Sequence, residues 1–86
     1  MNLVLRVILK EVAEAEARYG PYTSTHEAYG VLAEEMAELL EPIRANSLQA
    51  TGREAQQVAA VAYRLALQCA MALDGTSPSF KERSGG

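Results

Sequence analysis

Between Val58 and Ala72 the chain can form a helix that is apolar almost all the way round, and this limits what the rest can do. Val58, Val61, Leu65, Cys69 and Ala72 form one stripe at helical spacing. Ala59, Ala62, Tyr63, Ala66, Leu67 and Met71 cover most of the remaining circumference. After Gln57 only Arg64 and Gln68 interrupt it. A helix of this kind must be covered on most sides. The whole chain has 86 residues, too few to supply that cover from within. The expectation is an all-α fold: an antiparallel helical bundle of three main helices, completed by homo-oligomerisation into a homodimer or homotetramer.

Two further helices precede the apolar one. Asn2 to about Tyr19 carries Leu5, Ile8, Val12 and Ala15 on one face, and Glu14 and Arg18 make an acid-before-base pair at i, i+4. Gly20-Pro21 ends it, because glycine suits a C-terminal cap and proline cannot extend the ladder. The second helix opens at Ser24-x-x-Glu27, a capping box, with His26 in its first turn. Its apolar stripe is Ala28, Leu32, Met36, Leu39 and Ile43, and Pro42 is expected to kink or loosen its end. Ala45 to Ala50 reads as a loop, and Thr51-x-x-Glu54 as a second capping box starting the third helix. Residues 1–75 thus form the helical domain and 76–86, rich in Ser, Gly and charge, a flexible tail.

Charge narrows the partners. A net charge of −3 lacks the basic footprint of nucleic-acid binding. A single cysteine, Cys69, excludes an intrachain disulfide and a cysteine zinc cluster. No segment is apolar enough to span a membrane. Leu3 to Leu9 is interrupted by Arg6 and lacks a small-residue cleavage site, so it is not read as a signal peptide, and a cytoplasmic location is expected.

On the second helix Glu27, Glu34, Glu38 and Glu41 gather away from the apolar stripe, while Glu35 sits beside it. If the second and third helices pack antiparallel, Glu35 and Glu38 approach Glu54 and Gln57. Carboxylates so placed repel one another unless they are protonated or bind a cation. Oxygen ligands without His or Cys favour Mg²⁺, with Mn²⁺ as the alternative. The plainer readings are a solvated acidic face and a Glu54 that only caps its helix.

Glu34-Glu35-x-x-Glu38 followed after some fifteen residues by Glu54-x-x-Gln57 resembles the MazG-type signature of the all-α nucleotide pyrophosphohydrolase superfamily. Tyr19-Gly-Pro-Tyr22, His26-Glu-Ala-Tyr-Gly30 and Gln57-Val-Ala-Ala-Val-Ala-Tyr-Arg64 look like a small MazG-like branch of phages and bacteria, and the likeness runs from about Leu5 to Met71. It implies Mg²⁺-dependent hydrolysis of an NTP or dNTP to the monophosphate and pyrophosphate, in a house-cleaning role. It puts Glu35, Glu38, Glu54 and Gln57 at the metal and Glu34 or Glu38 at the attacking water. Arg64, Lys10 and His26 are the substrate-contact candidates, with Arg64 first. The family's last Asp is Gln57 here, so the alternative is a helical oligomer that binds a nucleotide or protein partner with weak or no turnover.

Overall fold

The computed structural model describes residues 2–76 and Phe80. Its elements are α1 (Leu3–Tyr19), α2 (Thr25–Arg44) and α3 (Leu48–Leu73). There is no strand among the described residues. The all-α architecture follows the helical spacing of the apolar residues.

Local chemistry sets the first boundaries. Asn2 caps α1, its side chain accepting from the Leu5 N–H at 2.7 Å. Gly20 closes that helix at φ 70°, a conformation open to glycine without strain, and its N–H reaches the Glu16 carbonyl at 3.0 Å. Ser24 caps α2 by accepting from the Glu27 N–H at 3.0 Å. The Glu27 carboxylate does not return to Ser24 as in the usual box. It accepts instead from the Thr23 N–H at 2.8 Å, one residue further out. The expected i, i+4 ion pair between Glu14 and Arg18 is not formed; Arg18 lies over the Tyr19 ring, 5.8 Å from its centroid.

The α2–α3 junction is shorter than its sequence suggests. Helix α2 carries on through Pro42 to Arg44, and α3 begins at Leu48 rather than Thr51. Asn46 makes the turn at φ 57°, and Ser47 is the true cap, accepting from the Ala50 N–H at 3.2 Å. Glu54 therefore lies in the second turn of α3, where no free helix N–H needs it.

Helix α3 is the common wall of the molecule. It packs against both α1 and α2, which have no such packing with each other. Ala28 of α2 meets Val61 of α3 in the core, while Glu38 meets Glu54 further along, so the two helices run antiparallel. Tyr22, from the α1–α2 connector, completes the core cluster, with Val31, Leu32, Leu65 and Phe80 packed around it. The expected tail lies outside the described residues except for Thr76 and Phe80. Phe80 is half-buried against the core rather than free of it.

Three further expectations change. Met36 and Ile43 are about half exposed, because the contact face of α2 is turned toward Val31, Leu32, Glu35 and Leu39. Arg64 and Gln68 do not break an outer surface; they are 5% and 3% exposed and belong to the interior. Instead Tyr63 and Leu67 face out, and no large side chain among the described residues is fully buried. No described helix is long and apolar enough to cross a membrane.

Candidate functional site

Two clusters of polar side chains flank the core along α3. The first is made by α2 and the opening turns of α3. Glu35 and Glu38 lie one turn apart on α2, and antiparallel packing brings Glu54 opposite them. One carboxylate oxygen from each lies within 4.8 Å of the other two. Glu35 and Glu54 are half-buried, and Glu38 is exposed. Neither the hydrogen bonds nor the ion pair of the described residues joins a cation to this trio. Burial lifts the Glu35 carboxyl above its usual range, and the charges of Glu38, Glu54 and Glu34 push it further the same way. This is the only group of three or more His, Cys, Asp or Glu among the described residues with the spacing to hold a metal ion.

Gln57 sits one turn beyond Glu54 on the inner side of α3, half-buried. With Glu35 it lines one end of a cleft of about 490 Å³ that opens where α1 and α2 stand apart over α3. Arg18, Tyr19 and Pro21 line the other end, and Arg64 lies on its floor. Glu38 and Glu54 also face a second, shallower depression beside Pro42. The acidic trio thus stands on the ridge between the two.

The second cluster was hidden from sequence reasoning. Gln68 spans both backbone polar groups of Tyr22: its side-chain oxygen accepts from the Tyr22 N–H at 2.9 Å and its amide donates to the Tyr22 carbonyl at 2.7 Å. Arg64 donates to the Gly20 carbonyl at 2.8 Å and the Tyr22 hydroxyl at 3.3 Å, and meets Glu16 at 3.5 Å. Its guanidinium also lies 4.4 Å from the centre of the Tyr22 ring. The Arg64 Nε–H is the one buried side-chain polar group of the described residues without a partner. Burial raises the Tyr22 hydroxyl above its ordinary value, Arg64 opposing the shift and nearby carboxylates adding to it. A periodic polar face at Gln57, Arg64 and Gln68 within an apolar helix was the available signal.

The remaining candidates are dispersed. Glu34 is exposed beside the trio but not part of it. Lys10 on α1 and His26 in the first turn of α2 are exposed and do not line the cleft. In comparisons with known proteins, no family model, curated protein or solved structure matches the chain.

Proposed function

We propose that the chain is a MazG-like pyrophosphohydrolase that converts an NTP or dNTP to the monophosphate and pyrophosphate. The observation that carries this reading is the approach of Glu35, Glu38 and Glu54 to within 4.8 Å beside an open cleft, with no ion pair of the described residues joining a Lys or Arg to them. Like charges held this close destabilise the fold unless a proton or cation offsets them. The donor set is all oxygen, which suits Mg²⁺, with Mn²⁺ as the alternative. Glu35, Glu38 and Glu54 would hold the ion, with the Gln57 amide oxygen as a fourth ligand. When bound, it supplies charge neutralisation at the phosphates and acidifies coordinated water.

The chain's own groups have separable tasks. To Glu34, outside the trio, or Glu38, its exposed member, we assign the task of orienting water and accepting its proton as its oxygen attacks the α-phosphorus. Pyrophosphate leaves as the bond between the α-phosphorus and its bridging oxygen breaks. Arg64, 5% exposed and committed to Gly20, Tyr22 and Glu16, is assigned the shape of the cleft floor rather than a substrate contact. Lys10 and His26 are given no contact.

A second copy belongs to the same proposal. Leu40, Ile43, Tyr63 and Leu67 are exposed on α2 and α3, and the monomer's core is small. A homodimer or homotetramer acting in the cytoplasm would cover them. Light scattering that finds only monomer at micromolar concentration overturns that part.

The activity itself is tested with the eight common NTPs and dNTPs in Mg²⁺. Pyrophosphate released from at least one, and none with chelator, is the expected result. No release together with no Mg²⁺-dependent rise in melting temperature rejects the reading. Gln57 favours one variant of it, because an amide binds Mg²⁺ more weakly than a carboxylate. Nucleotide binding without turnover, gained on Gln57→Asp, would identify a binding protein rather than an enzyme.

A further inference from the structure

We infer that Tyr19 is the platform on which the substrate's base stacks, at the end of the cleft remote from the acidic trio; this rests on the pyrophosphohydrolase reading. The cleft gives a substrate two unlike ends. Glu35 and Gln57 line one, and Tyr19, with Pro21 beside it, lines the other. Along α3 the cleft runs from Gln57 to Arg64, seven residues or about 10 Å at the helical rise. Its volume of about 490 Å³ lies within the usual range for a small-molecule site.

The two ends cannot exchange roles. Glu11, Glu14 and Glu27 stand along the walls and outnumber Arg18, while Arg64 is bonded to Gly20, Tyr22 and Glu16, so the phosphates belong at the end where the proposed cation would balance their charge. The uncharged base then falls at the other. There Tyr19 is 71% exposed, although it lines the cleft, and so offers its ring to a ligand. Tyr22, the other aromatic of the cleft, is 6% exposed and already engaged with Arg64, so it has no face to offer. Tyr19 is the last residue of α1, is followed by the Gly20 cap, and carries the Arg18 guanidinium 5.8 Å from its ring centre. A flat ring backed by a cation and anchored at a helix end is a stacking surface that accepts any base.

The measurement compares binding of an α,β-methylene nucleoside triphosphate with that of inorganic tripolyphosphate, both in Mg²⁺, for wild type and Tyr19→Ala. Wild type should bind the nucleotide more tightly than tripolyphosphate, and Tyr19→Ala should lose roughly tenfold of that preference while its tripolyphosphate affinity and Mg²⁺-dependent melting shift stay unchanged. Tyr19→Trp should keep the preference. An unchanged ratio in Tyr19→Ala overturns the assignment even if pyrophosphate is still released, which leaves the activity standing. A wild type that binds neither ligand and releases no pyrophosphate overturns both.

Discussion

The two polar clusters on α3 differ in the way that matters most for a small protein. Around Tyr22, Gln68 and Arg64 meet the buried backbone groups of the connector with matched donors and acceptors, leaving only the Arg64 Nε–H over. Around Glu35, three carboxylates converge, and no ion pair of the described residues reaches them. The first arrangement is bonded within the chain and holds the fold; the second sets like charges against one another. Satisfied polar groups stabilise by their bonds and by the penalty for breaking them, whereas unmatched like charges make their removal favourable. Substitutions in the two clusters should therefore have opposite signs.

The largest effect is expected at Gln68. Gln68→Leu strands both the N–H and the carbonyl of Tyr22 in a buried site and should cost about 3 kcal/mol, read from the urea midpoint. A loss below about 1 kcal/mol would mean that the connector does not depend on this residue. Arg64→Met comes next. It keeps much of the apolar stem but removes the bonds to Gly20 and Tyr22, for a loss of about 2 kcal/mol, and Arg64→Lys should recover little because an ammonium lacks the fork.

The acidic cluster should respond in reverse. Glu35→Gln relieves a like-charge pair with Glu38 one turn away and should raise the stability of the metal-free protein by about 0.5 kcal/mol. It should also abolish any gain in melting temperature on adding Mg²⁺. A destabilised variant that still responds to Mg²⁺ would erase the contrast between the clusters.

The smallest effect is in pH dependence, and it separates the two. The folded state raises the Glu35 carboxyl, so it binds more protons there than the unfolded chain. The associated stability is present below the unfolded value and lost as pH rises through the folded one. Mg²⁺ or Glu35→Gln should remove this slope. Tyr22 is raised from 10.0, so its contribution is lost only in alkali, as pH rises through the folded value. Titrating unfolding between neutral and acid pH thus reports one cluster, and the alkaline limb reports the other.

Much of this was legible in the chain. Gly20-Pro21 and Ser24-x-x-Glu27 declare their boundaries through local bonds, and apolar spacing gives three helices. The meeting of Glu35 and Glu38 with Glu54 also follows from spacing, once α2 and α3 run antiparallel. The start of α3 was ambiguous because Thr51-x-x-Glu54 fits a capping box, while Ser47 wins only through the turn that Asn46 makes. The burial of Arg64 and Gln68 is invisible in the sequence for a deeper reason. Their partners are backbone groups of a connector more than forty residues upstream, and no periodicity records a carbonyl that tertiary packing delivers. The cleft was equally invisible, since it exists only because α1 and α2 stay apart.

That separation also bears on how the molecule opens. With α1 held to the rest chiefly along α3, it forms one peripheral leaf of a book whose spine and second leaf can stay shut. Amide exchange should register this as a low-energy release of α1 before the α2–α3 hairpin gives way. Large ligands would then enter by parting that leaf, without disturbing the carboxylates across the spine.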